Sequence, residues 1–321
     1  MSRRRPLSLL SGFLLLTAQA VTPALALTAT GGPGAALGAS ALAANCAPGD
    51  TGITARGGIT DSKGMVRELE TGQVVTQLPK AAQGAAPADF SVSVGIWFHV
   101  ITDGSIGYLS PTDLANQVRV MNATFGGRES FAGTAGGSDT GFSWYLAGYD
   151  YTDNAKWYWM KSTGAEHEMK QALRVGGDNL LNVYTGTAGA YLGWAYLPSI
   201  TDSNQAYLDG IVLDWESLPN VSDRYLDRYD EGETLTHEAG HWLNLEHTFY
   251  NRCKGDGDFV DDTPADATPT SGCPIGKDTC TAPGADPIHN YIDYAYDDCY
   301  TQFTPGQVQR MADAWLYYRA S

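Results

Sequence analysis

The chain has 321 residues, of which 43% are hydrophobic, and a formal net charge of -16 at pH 7. This hydrophobic content excludes disorder over the whole length and allows one large domain or two small ones. The negative charge argues against a nucleic-acid partner, because a phosphate backbone would be repelled.

The N-terminus has the pattern of a secretory signal peptide. Basic residues at 3–5 precede an apolar stretch at 7–20 and a small-residue step at 24–26. We therefore predict a signal peptide over 1–26 and a secreted, extracellular protein. A transmembrane anchor is the alternative, but the apolar run is short and is interrupted by serine and threonine. No membrane partner is expected after the signal is removed.

Residues 27–88 are rich in alanine, glycine, proline and threonine and show little hydrophobic periodicity. This composition predicts a largely unstructured segment. A flexible linker is one interpretation, but a linker at this end of the chain would connect nothing. We therefore predict that 27–88 is a removable pro-segment.

Regular patterning begins near Phe90, where apolar and polar residues alternate as in a strand that enters a core, so the folded domain is expected over 89–321. A helix is expected from Ser110 or Thr112 to about Phe125. Further strands are predicted over 140–149, 179–185, 191–197 and 210–214, and further helices over 166–174, 231–243 and 304–318. Together these elements predict a mixed α/β unit.

The five cysteines divide into one and four. Four of them crowd into the C-terminal stretch and none forms a C-x-x-C pair, so two disulfides are predicted rather than a zinc knot. These four are Cys253, Cys273, Cys280 and Cys299. The sequence leaves their pairing open, and Cys46 is left over.

The segment 236–247 contains the candidate metal-binding and catalytic residues. On a helix, His237 and His241 are four residues apart and project from one face, so both imidazoles reach one metal ion. Glu238 lies beside them, placed to act as a general base on a water that zinc has made more acidic. His247 is the candidate third ligand, and it leaves a fourth position open for water.

His247 cannot reach the metal from a continuous helix. Six residues beyond His241 correspond to a rotation of about 600°, which leaves the side chain about 240° away from the ligand face. The helix must therefore end near Asn244, one of the few non-glycine residue types that tolerate a left-handed turn. The alternative is a chance motif on a surface helix, but three of the six histidines lie within the eleven residues 237–247.

Several segments outside the motif also match a known family; they lie at 122–126, 181–185, 192–198, 247–249, 261–264 and 301–307. With them, residues 90–321 resemble the metzincin clan of zinc metalloendopeptidases, and within it the pappalysin (cytophagalysin-like) family. The resemblance implies a metzincin-type zincin of α/β (α+β) class. Its parts would be an upper twisted, mixed and mostly parallel sheet with helices, an active-site helix, and an irregular disulfide-bearing lower subdomain.

The resemblance also implies roles for residues around the metal. The segment 290–294 matches the family's methionine turn, so Tyr294 would approach the zinc or support the oxyanion. Ile292 replaces the methionine beneath the ligands, and Asn244 stands where the family usually has glycine. The implied disulfides are Cys253–Cys280 and Cys273–Cys299.

Two weaker signals concern Cys46 and a cluster of aspartates. Similar enzymes cap their zinc with a pro-segment cysteine, so Cys46 is a candidate cap in a zymogen; an incidental or intermolecular thiol is the alternative.

Asp256, Asp258, Asp261 and Asp262 offer hard oxygen ligands for calcium. A solvated acidic loop is the alternative, because the spacing is not that of an EF-hand.

The sequence thus predicts a secreted, monomeric zinc endopeptidase that acts on proteins or peptides. One rival is a catalytically impaired zinc-binding or adhesion protein of the same fold, which the replacement at Ile292 motivates. Another is a metallohydrolase that acts on cell-wall crosslinks. Glu238 favours an enzyme, because a purely structural metal site does not need a general base.

Overall fold

The computed structural model describes residues 77–131, 136–160, 163–188, 191–226 and 228–320. The signal peptide expected over 1–26, most of the expected pro-segment and Cys46 lie outside the described residues. These assignments stay predictions.

A single five-stranded sheet organises the upper part of the domain. Its strands are β1 (Val92–Thr102), β2 (Phe142–Asp153), β3 (Leu180–Gly186), β4 (Gly193–Ala195) and β5 (Ile211–Asp214). Their order across the sheet is β2-β1-β3-β5-β4, and all neighbours are parallel except β4, which runs antiparallel to β5. The expected mixed, mostly parallel sheet is therefore confirmed, with β4 as one edge.

In the part of the chain that the structure describes, five α-helices accompany the sheet: α1 (Pro111–Phe125), α2 (Ala155–Trp159), α3 (Thr163–Leu173), α4 (Glu233–Trp242) and α5 (Pro305–Ala314). Capping residues explain where two of them begin. Ser110 accepts the N–H of Asp113 at the start of α1, and Thr304 accepts the N–H of Gln307 at the start of α5. The chain continues after α5 as a wider, π-helical turn, Trp315–Arg319.

One hydrophobic core joins the sheet to α1, α4 and α5. Its members include Val94, Phe98, Leu114, Met121, Leu235, Trp242, Ile292 and Met311. A second core around Ile101, Met169 and Trp194 includes side chains of β1, α3 and β4. Helix α4 contacts α1, β4 and β5, so it lies against the edge of the sheet that ends in β4.

The end of the expected pro-segment packs on the C-terminal helix. The carboxylate of Asp313 in α5 accepts the N–H groups of Gly84 (2.6 Å) and Ala86 (2.8 Å). Leu78 forms a small apolar cluster with Ala314 and Tyr318. Residues 77–88 are therefore held on the surface of the folded domain by both polar and apolar contacts.

The described chain between α4 and α5 is irregular apart from a short 3₁₀ turn, Asp297–Cys299. It contains the two disulfides Cys253–Cys280 and Cys273–Cys299, the pairing that the family resemblance implied. Within the described part of the chain, no helix is long and apolar enough to cross a membrane.

Candidate metal centre

Three buried histidines converge at the end of α4. His237 and His241 lie on that helix, and His247 lies just beyond it; all three are at most 5% exposed. The Nε2 atom of His241 is 3.0 Å from Nε2 of His237 and 3.2 Å from Nε2 of His247. Two nitrogen ligands of one tetrahedral zinc ion lie about 3.3 Å apart, so the triad has the dimensions of a metal site.

Backbone carbonyls fix the orientation of two of these rings. Nδ1 of His237 donates to the carbonyl of Tyr291 (2.6 Å), and Nδ1 of His241 donates to the carbonyl of Leu245 (2.7 Å). The proton of each neutral ring is therefore on Nδ1, which leaves the Nε2 lone pair facing the centre of the triad.

Burial favours the neutral form of two of these imidazoles, the form that metal ligation requires. It lowers the pKa of His241 to about 4. Burial also lowers the pKa of His247, and the neighbouring His241 and His237 lower it further. Neutral imidazoles whose lone pairs face one point suit a cation, so the residues fit the expected metal.

The predicted turn after the second histidine is present. Asn244 has φ 77°, in the left-handed region. The N–H of Leu245 bonds to the carbonyl of Gly240 (2.9 Å) and the N–H of Asn244 to the carbonyl of His241 (2.8 Å), which together form a Schellman motif. This motif ends α4 and turns the chain so that His247 returns to the other two histidines.

Glu238 lies on α4 against the edge strand β4. Its side chain is fully buried. A Cβ atom placed on Gly193 of β4 would lie 3.1 Å from Cγ and 3.2 Å from Oε1 of Glu238. Because Gly193 has no side chain, the carboxylate of Glu238 can pack closely against β4. In the sequence, this role is indicated only by the presence of a glycine within a strand.

Aromatic rings surround the third histidine. The ring of His247 stacks on Phe249, with centroids 4.7 Å apart, and meets Tyr294 edge-on at 5.0 Å. The ring of Tyr294 is also 5.8 Å from that of His237. The structure thus brings Tyr294 into contact with two of the three histidines.

The turn at 290–294 lies directly beneath α4. Ile292 is fully buried, and its carbonyl accepts the N–H of Thr248 (3.3 Å). Tyr291 supplies the carbonyl that orients His237, and its hydroxyl donates to Glu129 (2.6 Å). The sequence did not single out Tyr291, because a backbone acceptor has no residue-type signal.

The four aspartates proposed for calcium have different surroundings. Asp258 is buried, whereas Asp256 and Asp261 are exposed. Asp262 accepts the hydroxyl of Thr304 (2.6 Å) and the N–H of Gly306 (2.8 Å), so it binds the start of α5.

Known proteins match this chain over most of the described domain. A family model described as peptidase M43, pregnancy-associated plasma protein-A, matches residues 193–315. An extracellular metalloprotease of Neurospora crassa is 42% identical over 248 residues, which cover 75% of this chain and 81% of that protein. The chain belongs to the peptidase M43 family. An extracellular metalloprotease of Arthroderma benhamiae is 40% identical over 257 residues, which cover 76% of this M43 chain and 81% of that protein.

Solved structures also match the chain. Mature mirolysin of Tannerella forsythia, in complex with a cleaved peptide, aligns with a TM-score of 0.60 and 26% identity, over 70% of this chain and 91% of that one. A promirolysin mutant aligns with a TM-score of 0.63 and 25% identity, over 74% and 84%. The chain is an extracellular M43 metalloprotease with a mirolysin-like metzincin fold.

Proposed function

We propose that this metalloprotease is a zinc-dependent endopeptidase in which His237, His241 and His247 hold the metal and Glu238 is the general base. The convergence of three buried Nε2 atoms, 3.0 Å and 3.2 Å apart, carries the proposal. Three imidazole ligands, which leave the fourth position of a tetrahedral ion for water, are a donor set typical of catalytic zinc.

Zinc supplies Lewis-acid chemistry, which polarises a peptide carbonyl and acidifies water. Glu238 accepts the proton of the attacking water and returns it to the departing amine. The carbonyls of Tyr291 and Leu245 keep two ligand rings in place throughout. Gly193 allows the carboxylate of Glu238 to lie against β4, the edge strand on which α4 packs.

Tyr294 is proposed to stabilise the oxyanion that develops on the peptide carbonyl. A phenol can donate one hydrogen bond to such an oxygen, and a donor of this kind is worth about 2.7–4 kcal/mol in comparable sites. The contacts of the Tyr294 ring with His247 and His237 support this role.

The substrates are proposed to be proteins or peptides, and the enzyme to act as a monomer. All three metal-binding histidines and Glu238 belong to one chain, so the site needs no second subunit. We also keep the proposal that residues 27–88 form a pro-segment whose Cys46 caps the metal until the segment is removed.

Calcium binding near Asp258 is a second cofactor proposal. Asp258 is buried, and burial raises its pKa to about 7. A calcium ion beside a buried carboxylate would offset this cost of desolvation. Calcium should then raise the thermal unfolding temperature of the protein, and Asp258→Asn should remove most of that increase.

The function is tested by cleavage of casein or gelatin by the secreted protein. We expect a chelator to abolish cleavage and added zinc to restore it. A protein that binds zinc but leaves both substrates intact would favour the impaired or adhesive rival. Cleavage of peptide crosslinks in cell-wall material, without cleavage of casein or gelatin, would favour the cell-wall hydrolase.

A further inference from the structure

We propose that Arg310 and Arg319, both from the C-terminal helical segment, are positioning residues for the metal site. They would act by hydrogen-bonding the carbonyls of the turn that ends α4. The inference rests on the proposed zinc site, because the experiment that tests it measures zinc binding.

Hydrogen bonds within the turn satisfy only some of its backbone carbonyls. The last carbonyls of any helix lack intrahelical donors and need other partners. Here the carbonyls of Gly240 and His241 are satisfied by the N–H groups of Leu245 and Asn244. The carbonyls of residues 242 and 244 need donors from elsewhere in the chain.

Two arginines supply those donors. The carbonyl of Trp242 accepts from Nε (3.1 Å) and an Nη atom (2.9 Å) of Arg319. The carbonyl of Asn244 accepts from Nε of Arg310 (2.7 Å). Both carbonyls therefore depend on side chains at least 66 residues away in the sequence.

The same turn controls two metal ligands. The carbonyl of Leu245, next to Asn244, accepts a hydrogen bond from Nδ1 of His241 and so sets the rotation of that ring. His247 follows two residues later. A displacement of the Asn244 peptide would rotate the first ligand and shift the second, which is how changes around ligand-orienting groups weaken metal sites.

Arg319 is held in place on several sides, and Arg310 packs beside an aromatic ring. Arg319 is fully buried, its guanidinium lies 3.5 Å from the centroid of the Trp242 ring, and it pairs with Asp209 at 3.0 Å. The guanidinium of Arg310 lies 5.6 Å from the ring centroid of Phe259. Because the buried and paired guanidinium of Arg319 has little freedom, its donors act as fixed points for the turn. Arg310 holds the turn through its Nε hydrogen bond to Asn244.

Two variants of Arg310 separate its hydrogen bond from its charge. In Arg310→Gln, the amide nitrogen occupies the position of Nε and still donates to Asn244, whereas Arg310→Met has no donor. Both lose the charge that faces Glu246 and Asp258. Metal-free thermal unfolding therefore reports the shared loss of charge, and zinc affinity reports the hydrogen bond.

We expect Arg310→Met to bind zinc about 10-fold or more weakly in competition with a chromophoric chelator, and Arg310→Gln to stay close to wild type. The visible spectrum of the cobalt-substituted Met variant should change, because it reports ligand geometry. Arg319→Lys should also weaken zinc binding, and Arg119→Met, an exposed change in α1, should not.

Equal zinc affinities and cobalt spectra for wild type, Arg310→Met and Arg310→Gln would overturn the inference. So would equal weakening in the Met and Gln variants, since charge rather than the bond to Asn244 would then be responsible. Failure of the wild type to bind zinc would instead contradict the proposed function.

Discussion

Ile292 packs directly against the backbone of Gly240. A Cβ atom on residue 240 would overlap Cδ1 of Ile292 and would lie 3.5 Å from its Cγ1. Gly240 immediately precedes His241, so this contact joins the turn at 290–294 to the helix that carries two metal ligands. The fit beneath the metal site thus depends on a small residue above and a branched one below.

The substitution Gly240→Ala should destabilise the protein by about 1–3 kcal/mol, because the new methyl group overpacks a buried contact. This outcome opposes helix propensity, which favours alanine over glycine by about 1 kcal/mol. Ile292→Val removes Cδ1, so the double variant should be more stable than Gly240→Ala alone. Urea unfolding of Gly240→Ala, Ile292→Val and the double variant measures these free energies. Strictly additive effects would show that the two residues do not interact.

The substitution Gly193→Ala should slow casein cleavage by about 10- to 100-fold, because the added methyl group displaces the carboxylate of Glu238. Zinc content should change little, and urea unfolding measures the separate cost of the new methyl group against the carbonyl of Val212, 3.0 Å away. Gly177→Ala is a matched control, since a Cβ there meets only Asn179, at 3.5 Å. Equal rates for the Gly193 variant and the wild type would show that Glu238 tolerates the displacement.

The effect of replacing Asn244 should depend on how well the new residue tolerates the left-handed backbone conformation. Its φ of 77° suits glycine, and its Nδ2 has no hydrogen-bond partner within the described chain. Asn244→Gly should therefore preserve zinc affinity and stability. Asn244→Val should cost at least about 1–2 kcal/mol and weaken zinc binding, because a branched side chain disfavours the left-handed region. Similar thermal unfolding and zinc titration curves for the two variants would contradict this account.

Asp214, at the end of β5, should make stability depend on pH. It is fully buried, and burial raises its pKa to about 6, above the value of about 3.9 in an unfolded chain. The folded state therefore binds the proton more tightly, so the free energy of unfolding should fall as pH rises from about 4 to 6.

The variant Asp214→Asn cannot ionise and should lose this part of the pH dependence, on the order of 1–3 kcal/mol. Denaturant unfolding at pH 4, 5, 6 and 7 measures the effect. Parallel stability profiles for the wild type and Asp214→Asn would show that Asp214 does not contribute.

The sequence predicted those features that local geometry determines. The spacing of His247 required a turn, Asn244 was suited to it, and the Schellman motif is found there. Edge strand β4 was expected over 191–197 but pairs only over Gly193–Ala195, since its length depends on its partner β5 rather than on its own residues.

Long-range contacts could not be predicted in this way. Arg310 and Arg319 reach the turn from the end of the chain, and no local pattern indicates which carbonyl a distant arginine binds. The packing of 77–88 depends on Asp313, more than 220 residues away. A segment without hydrophobic periodicity gave no sign of this contact.

The proposed role of Glu238 is that of general base beside a zinc site formed by the three histidines. Casein cleavage and zinc content of the wild type and Glu238→Gln distinguish this role from that of a structural residue. We predict that the variant retains one zinc ion per chain while its cleavage rate falls by about 10²- to 10⁴-fold. A variant that binds zinc and cleaves casein as fast as the wild type would show that Glu238 is not the general base.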